Sequence, residues 1–373
     1  MKKMLSWLLM AAILISLSGC GSQAEPAETA AQPAAEATAA PAPEAAVPET
    51  EIAVPETEAP VLEDPMFLKV ASITFSLVGE SEDIYLGLVP RELVTWESED
   101  ASVVSVENGV LTAVGVGTTT IRATYQDREL TCTAGCLAET QEELESLGFD
   151  VLCQPKRLLP EVDLQTPCTY FENAALVGDS ISYMMMQTES KGNYLGGLLF
   201  LARGGTSLNG FVHRVKNITY RGVEMNLEDA VAKSGVERIY ILIGSNDIAS
   251  EPQRITFFEN WDIMLERIRE KSPSVQIVLI SNIPQYASEA ESKGSFFRQY
   301  NSLVIEYNQK MRELAQEKGC LYLDLHGYVE DHCGRMAQVY NLDGYHLNEA
   351  GYHTWMKVLR YYAQYELEGG TLV

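Results

Sequence analysis

The chain has 373 residues, is 46% hydrophobic and 9% aromatic, and carries a formal net charge of −25 at pH 7. A chain of this length and hydrophobicity can bury the cores of two domains. The acidic excess argues against nucleic acid as a partner and against electrostatic docking on anionic lipid, because phosphate groups attract Lys and Arg.

Residues 1–19 are predicted to be a secretory signal. The basic start "MKK" precedes an apolar stretch from Leu5 to Leu17, which is short for a membrane-spanning helix. The sequence "LSGC" that ends at Cys20 resembles the lipobox of bacterial lipoproteins, which implies cleavage before Cys20 and a diacylglyceryl group on its sulfur. A plain signal peptide followed by an unrelated cysteine is the alternative. We therefore expect an extracytoplasmic protein anchored to the cell membrane through Cys20.

Residues 20–65 are predicted to be a disordered tether. They are mostly Ala, Pro and Glu, with no Lys or Arg. Prolines and like charges keep such a segment extended, and it lacks the apolar residues that a core requires. The segment is typical of a stalk that lifts a folded part off a membrane, and a partner-binding tail is the alternative.

Residues 66–136 are predicted to form a small β-sandwich. The stretch "VTWESEDASVVSVENGVLTAVGVGTTTIRATY" alternates apolar and polar residues, and Asn108-Gly109 is a strong hairpin signal. Short strands with frequent turns and no helical period are typical of this architecture. In it Trp96 is expected to be a core residue.

The same segment resembles a bacterial immunoglobulin-like domain of group two. That resemblance implies a spacer or an adhesive module on a surface protein; we favour a spacer, with contact to the cell envelope as the alternative. The residues that carry the resemblance are Gly79-Glu80, Val94-Thr95-Trp96, Ser98, Val103, Val106, Asn108-Gly109, Ala113, Gly117-Thr118 and Ile121.

Residues 137–168 are predicted to be a connector with a short helix in "ETQEELESLG". Cysteines also occur in and around it. Outside the cytoplasm, an even number of cysteines permits disulfides, and we expect one or two bridges beside free thiols. The six cysteines after Cys20 are Cys132, Cys136, Cys153, Cys168, Cys320 and Cys333.

Residues 169–373 alternate apolar runs of strand length with longer amphipathic segments. Helices are predicted from Arg254 to Lys271, from about Phe296 to Lys318, and after Asn348. Near-continuous apolar strands between helices predict a parallel sheet covered on both faces, with ligands beyond the carboxyl ends of its strands. The strand candidates are "AALVG", "LLFLA", "RIYILIG", "VQIVLIS" and "LYLDL".

Polar stretches follow three of these strands at the point where ligands are expected. Ser180 comes directly after the first strand and is predicted to open a helix, whose first N–H groups are unsatisfied. The second strand ends before "RGGT", where a glycine N–H can serve as a donor. The third ends at "GSND", where the side chain of Asn246 can donate to an oxyanion. Each stretch alone is equally typical of a helix cap, a loop or a turn.

The stretch "NLDGYHLN" contains a histidine with a well-spaced carboxylate. Asp343 and His346 are three residues apart across a turn, so the carboxylate can accept from one imidazole nitrogen and leave the other to take a serine proton. Of the chain's five histidines, only His346 has a carboxylate at a spacing that suits a triad.

The four stretches resemble, in the same order, the sequence blocks of the SGNH or GDSL family of hydrolases. "GDS" matches the first block, "GSND" the third and "DGYHLNEAGY" the last, over about residues 170 to 366. The second match is weaker: Gly-x-Thr selects Gly204, and Gly205 is the alternative. The resemblance implies an α/β, flavodoxin-like three-layer fold with a parallel sheet.

The resemblance also implies roles, residue by residue. Ser180 is expected to be the nucleophile, His346 the general base, and Asp343 the residue that orients His346. The oxyanion hole is expected to consist of the Ser180 N–H, the Gly204 N–H and the Asn246 side chain. Asp179 and Asp247 are expected to support the site.

The expected reaction is hydrolysis of an ester through an acyl-enzyme, with no metal or organic cofactor. An anchored enzyme that faces the cell envelope suggests an acylated carbohydrate as substrate, with an O-acetyl group favoured. The alternatives are a general short-chain esterase, a thioesterase or lysophospholipase, and a catalytically inert adhesion or polysaccharide-binding lipoprotein. A Met side chain among Met184, Met185 and Met186 either approaches the acyl pocket or packs in the core.

Overall fold

The structure, a computed structural model, describes residues 68–84, 86, 89–288 and 295–367. The predicted signal segment, Cys20 and the tether lie outside these residues. Among the described helices, none is long and apolar enough to cross a membrane.

The first part is a pair of β-sheets, one of five strands and one of three, in the orders β3-β6-β7-β1-β8 and β2-β5-β4. Asn108 and Gly109 turn between β4 and β5 with φ of 49° and 80°, the paired positive values of a tight hairpin. A Cβ at Gly109 would lie 2.5 Å from the Ile84 carbonyl oxygen, so only glycine fits there. Trp96 is partly buried and packs against the core. The strands are β1 (Ser72–Leu77), β2 (Ser81–Asp83), β3 (Thr95–Ser98), β4 (Val104–Glu107), β5 (Val110–Ala113), β6 (Gly117–Tyr125) and β7 (Arg128–Ala138).

The connector contributes a strand to the larger of these sheets. Thr140 and Glu143 form a capping box that starts the first of two short helices, because each satisfies a backbone N–H of the other. The chain then returns and pairs antiparallel with β1. The segment therefore packs against the sandwich. Its elements are α1 (Gln141–Ser146), α2 (Phe149–Leu152) and β8 (Arg157–Leu158).

The second part is a five-stranded sheet in the order β10-β9-β13-β14-β15. All of its strand pairs are parallel. This is the 2-1-3-4-5 order of flavodoxin-like folds, so the predicted fold class is confirmed. All five predicted strands are present: β9 (Ala174–Gly178), β10 (Leu199–Ala202), β13 (Arg238–Leu242), β14 (Gln276–Ile280) and β15 (Leu321–Leu323).

The apolar run of β9 is explained by burial on both faces. Ala174 and Leu176 belong to one hydrophobic core, and Ala175 and Val177 belong to the other. Side chains alternate between the faces of a strand, so a central strand needs apolar residues at every position. The helices around the sheet are α3 (Ser180–Glu189), α4 (Leu208–His213), α5 (Leu227–Ser234), α6 (Ser245–Ile248), α7 (Glu251–Arg254), α8 (Phe257–Lys271), α9 (Ser295–Glu317), α10 (His326–Val329) and α11 (Glu349–Leu367).

Two details differ from the sequence-based expectations. The helix predicted from Arg254 is two helices, because the backbone leaves helical geometry at Thr256 with φ −107° and ψ 16° before α8 begins. A small hairpin of β11 (Ile218–Tyr220) and β12 (Val223–Met225) also lies between β10 and β13. Strands of three residues are too short to produce a recognisable period.

The expectation of one or two disulfides is wrong for the described residues, in which all six cysteines are free. Cys132 and Cys136 both lie in β7, four residues apart. At about 3.3 Å per residue their Cα atoms are roughly 13 Å apart, and a disulfide needs less than about 7 Å.

The β-sandwich and the parallel sheet share one hydrophobic core. Residues of both parts, such as Ile73 and Trp355, belong to the same buried group. Part-buried charges also join them: Arg157 contacts Glu82 at 2.7 Å and Asp324 at 3.2 Å. The two predicted domains are therefore packed against each other as parts of one compact unit.

Candidate active site

Strand β9 and helix α3 meet in a turn that has no room for a side chain at Gly178. A Cβ there would lie 2.1 Å from Ser182 Oγ and 2.3 Å from the Leu242 carbonyl oxygen. Asp179 is the N-cap of α3, and its Oδ1 accepts from the Ile181 N–H at 3.0 Å. Ser180 is therefore the first residue of the helix, at the carboxyl edge of the sheet.

Ser180 and two side chains from a loop distant in sequence form one hydrogen-bonded chain at this edge. Ser180 Oγ lies 2.9 Å from His346 Nε2, and His346 Nδ1 lies 2.8 Å from Asp343 Oδ2. A carboxylate at Nδ1 keeps the proton on that nitrogen, so Nε2 can accept the proton of the hydroxyl. This is the arrangement that activates a serine as a nucleophile.

The loop that carries His346 is held by its own polar groups. Asp343 Oδ1 accepts from the N–H groups of Tyr345 and His346 at 3.1 and 2.9 Å. Asn341 Oδ1 accepts from the Gly344 N–H at 2.7 Å. Burial alone would raise the pKa of Asp343, but the hydrogen bonds from the His346 ring and these N–H groups outweigh it and lower that pKa below its ordinary value. Asp343 is thus kept ionised beside the imidazole.

The two aspartates expected to support the site are both buried and both bridge elements. Asp179 Oδ2 accepts from Ser245 Oγ at 2.8 Å, which ties α3 to α6. Asp247 accepts from the N–H groups of Leu208 and Asn209 at 2.8 and 2.9 Å, which ties α6 to α4. Burial raises the pKa of both, and that of Asp179 reaches about 6 despite its hydrogen bonds.

One of the expected oxyanion donors lies in the cavity beside Ser180. Asn246 lines the cavity beside it, and its Nδ2 donates to the Thr206 carbonyl oxygen at 2.6 Å. A primary amide has two N–H donors, so the second remains for a ligand. Gly204 and Gly205 lie in the exposed turn before Thr206, and neither is among the described residues that line the cavity. The choice between their N–H groups stays a prediction.

Residues 176–354 match the model of the GDSL-like Lipase/Acylhydrolase family. The chain carries a GDSL-like acylhydrolase domain. It is an ester-hydrolysing serine hydrolase.

Solved structures resemble about half of the chain. A structure from Streptococcus pneumonia, provisionally described as a platelet activating factor, is 23% identical with a TM-score of 0.42 and covers 51% of this chain and 83% of its own. A GDSL-like lipase from Bacteroides thetaiotaomicron is 16% identical, with a TM-score of 0.41 and coverage of 53% and 90%. An acetylxylan esterase from Geobacillus stearothermophilus is 14% identical, with a TM-score of 0.36 and coverage of 53% and 96%. No curated protein matches the sequence.

The acylhydrolase domain has a small cavity of about 150 Å³ at Ser180. A larger one of about 450 Å³, beyond the C-terminal end of α3, is lined by residues 164–169, Glu172, Gly192, Asn193, Gly196 and Gly197. Because α3 has ten residues, that end lies roughly 15 Å from Ser180, and the chemistry belongs to the smaller cavity. The residues that line the smaller cavity are Ser180, Ile181, Ser245, Asn246, Ala249, Ile283, Gln285, Tyr300, Tyr345 and His346.

Several lining residues were not identified from the sequence. Gln285 and Ile283 follow β14 in an irregular segment, and Tyr300 lies within α9. Tyr345 lies inside the "DGYHLNEAGY" motif, so its position next to His346 was a usable signal. The three consecutive methionines do not line the cavity, and Met185 is fully buried in the core. Within the described ranges, no cluster of His, Cys, Asp or Glu could hold a metal ion.

Proposed function

We propose that the acylhydrolase domain removes short acyl groups, acetyl foremost, from the hydroxyl groups of neutral carbohydrates. The observation that carries this proposal is the Ser180–His346–Asp343 chain opening into a cavity of about 150 Å³, whose other lining residues, among those that the structure describes, are neutral.

The reaction has two halves, formation and hydrolysis of the acyl-enzyme, and the same catalytic groups act in both. Ser180 Oγ attacks the ester carbonyl and gives its proton to His346 Nε2. The N–H of Ser180, the second N–H of Asn246 and the N–H of Gly204 stabilise the oxyanion. The C–O bond to the sugar breaks, and the sugar oxygen takes the proton from the imidazolium. Water then hydrolyses the acyl-enzyme in the same way and restores the serine.

The size of the cavity supports a short acyl group. An apolar cavity of about 150 Å³ holds a molecule as large as benzene. An acetyl group, with two carbons and one oxygen, fits with space to spare, and Ile181, Ala249 and Ile283 offer apolar contacts to its methyl group. An eight-carbon chain exceeds this volume. A lipase or lysophospholipase activity is therefore disfavoured.

The lining also supports a neutral, polar alcohol. No Lys or Arg is among the described lining residues, so a phosphate or carboxylate on the substrate finds no cation there. The net charge of −25 repels polyanions. Tyr345 is 50% exposed, so one aromatic surface is available beside His346 for the apolar face of a sugar ring.

The proposed setting is the outer side of a cell membrane. The signal-like segment 1–19 and the lipobox-like sequence before Cys20 support a lipid anchor, and the Ala/Pro/Glu-rich segment to residue 65 supports a tether. Contact of the β-sandwich with the cell envelope belongs to the same proposal. Incorporation of labelled palmitate, compared with a Cys20→Ala variant, tests the anchor; equal labelling of both variants would contradict it.

Hydrolysis of p-nitrophenyl esters of increasing acyl length tests the acyl side. We expect kcat/KM to fall roughly 100-fold from acetate to octanoate, because the longer chain does not fit the cavity. The Ser180→Ala variant should have no activity above background on acetate. Octanoate hydrolysed as fast as acetate would exclude an acetyl-sized site, and activity that survives Ser180→Ala would exclude the triad.

Acetate release from acetylated sugars tests the alcohol side. The wild-type protein is expected to release acetate from acetylated xylan or acetylated peptidoglycan, detected by mass spectrometry of the glycan. Hydrolysis of p-nitrophenyl acetate without release from any acetylated glycan would indicate a general short-chain esterase. No hydrolysis of either would indicate the inert adhesion or polysaccharide-binding protein.

A further inference from the structure

Gln285 is a buried amide in the wall of the catalytic cavity. It lies five residues after the end of β14 and is 6% exposed. Its backbone is fixed on both sides: its N–H donates to Asn301 Oδ1 at 2.8 Å, and its carbonyl oxygen accepts from Asn301 Nδ2 at 3.0 Å and from the Met336 N–H at 3.2 Å. The side chain therefore extends from a rigid base.

The Gln285 carboxamide hydrogen-bonds the Tyr300 hydroxyl, but its oxygen is buried and has no hydrogen-bond partner in the part of the chain that the structure describes. Most buried polar side-chain atoms in proteins have a partner, because leaving one without it costs free energy. An apolar side chain of similar size would fill this position without that cost. The Tyr300 hydroxyl accounts for one end of the carboxamide, and a ligand that supplies a donor would account for the oxygen.

The position of Gln285 identifies which part of the substrate it meets. The Tyr286 N–H donates to the Gly344 carbonyl oxygen at 3.0 Å, so the segment of Gln285 is joined to the loop of Tyr345. Both side chains line the cavity. They thus form one wall next to the half-exposed Tyr345 ring, whereas Ile181 and Ala249 offer apolar contacts to the acyl methyl group from α3 and the end of α6.

We propose that the carboxamide of Gln285 accepts a hydrogen bond from the sugar hydroxyl that neighbours the acylated position. This inference rests on the proposed carbohydrate substrate and adds a residue that selects it. The terminal torsion of a glutamine is broad, so the carboxamide can rotate its oxygen toward the substrate while its backbone stays fixed. Gln285 is a specificity-determining residue and takes no part in proton transfer.

Deletion of the hydroxyl and deletion of the amide test the contact from both sides. The probes are methyl mono-O-acetyl glycosides of xylose, glucose and N-acetylglucosamine; the best of them is then compared with its analogue lacking the hydroxyl next to the acetate. The wild-type protein is expected to prefer the complete sugar about 10-fold in kcat/KM. In Gln285→Leu that preference should disappear, with the loss in KM more than in kcat.

Gln253→Leu is the matched control. Gln253 also has a buried amide oxygen without a partner in the described residues, but it lies in α7 and does not line the cavity. The Gln253→Leu variant should keep the wild-type preference for the complete sugar over the analogue that lacks the hydroxyl. Gln285→Met, which has an unbranched side chain, is measured alongside in case the leucine variant folds poorly.

Each outcome decides the question. A wild-type protein that deacetylates both sugars equally, or a Gln285→Leu or Gln285→Met variant that keeps the preference, overturns the role of Gln285 and leaves the carbohydrate substrate standing. A wild-type protein that hydrolyses p-nitrophenyl acetate but none of the sugar acetates overturns the carbohydrate substrate, and the role of Gln285 falls with it.

Discussion

Asp179 offers a test of the electrostatics directly beneath the nucleophile. It is fully buried, caps α3 through the Ile181 N–H, and accepts from Ser245 Oγ. Asp179→Asn removes its charge with little change in shape. Asparagine caps a helix as well as aspartate does, and the Ser245 hydroxyl can accept from the new amide. The substitution therefore isolates the cost of burying a charge.

The pKa of Asp179 determines how much, and in which direction, the free energy of unfolding changes with pH. Burial raises that pKa from 3.8 to about 6. In the unfolded chain the ordinary value applies, so the folded protein holds a proton that the unfolded chain has lost between these pH values. At about 1.4 kcal/mol per pH unit, protonation contributes about 3 kcal/mol of stability. The contribution is complete below pH 3.8 and is lost as pH rises through about 6.

Urea unfolding of the wild-type protein and of Asp179→Asn at several pH values measures the stability that protonation of Asp179 contributes. The wild-type free energy of unfolding, relative to Asp179→Asn, should rise by about 2 kcal/mol from pH 8 to pH 4.5 and by about 3 kcal/mol in full. Other carboxyl groups cancel in the comparison. A difference between the two proteins that stays constant with pH would show that Asp179 is ionised at little cost, and the reasoning would be wrong.

Three further substitutions have expected outcomes. Asn246→Ala should lower kcat on p-nitrophenyl acetate by about 10²–10³, because it removes an oxyanion donor and the anchor of the Thr206 carbonyl. Asp343→Asn should lower kcat by about 10⁴ at pH 7, because an amide at Nδ1 favours the wrong tautomer of His346. Arg157→Met should lower the free energy of unfolding by about 3 kcal/mol in urea, because it leaves the part-buried Asp324 without its ion-pair partner, whereas Glu82 keeps Lys69 at 2.7 Å.

Matched measurements separate these effects from loss of the fold. Arg122 makes ion pairs with Glu99 and Glu129 at the surface of the sandwich, and Arg122→Met should cost less than about 1 kcal/mol. Equal losses for Arg122→Met and Arg157→Met would contradict the special position of Arg157. The two catalytic variants should keep the wild-type circular dichroism spectrum; a kcat of either within tenfold of wild type would contradict its assigned role.

The parallel sheet was predictable from sequence because its strands are nearly continuous apolar runs. A central strand buried on both faces must be apolar at every position, as "AALV" is, and its carboxyl end must turn where Gly178 and Asp179 stand. The shared edge of Ser180 and Asn246 follows from the same rule, since polar residues after parallel strands meet at one edge, whereas His346 lies well beyond the end of β15 and its contact with Ser180 was expected from the family resemblance. No sequence period encodes the distance between them.

The remaining features depend on contacts that a pattern does not record. Gln285 reaches the cavity because Asn301 and Met336 fix its backbone, and both are distant in sequence. The break before α8 falls within an otherwise continuous amphipathic pattern. The free cysteines could not be deduced either, because spacing gives the number of candidate pairs and only the fold gives the distances. The immunoglobulin-like resemblance and the lipid anchor stay predictions.

The interface between the sandwich and the sheet connects to the wall of the catalytic cavity. Arg157 joins Glu82 of β2 to Asp324, which follows β15. Asp324 Oδ1 accepts from Ser281 Oγ at 3.2 Å, and Ser281 begins the segment that leads to Gln285. Burial alone would raise the pKa of Asp324, but the Arg157 guanidinium helps to lower it below its ordinary value, so the carboxylate stays charged.

This connection bears on the interpretation of the sandwich as a spacer. A spacer that moves independently of its neighbour shares neither a hydrophobic core nor part-buried ion pairs with it, and both are present here. Glu82, Arg157, Asp324 and Ser281 form a continuous polar chain from the sandwich to the base of the Gln285 segment. The sandwich is therefore connected through ion pairs and a hydrogen bond to the segment that carries Gln285.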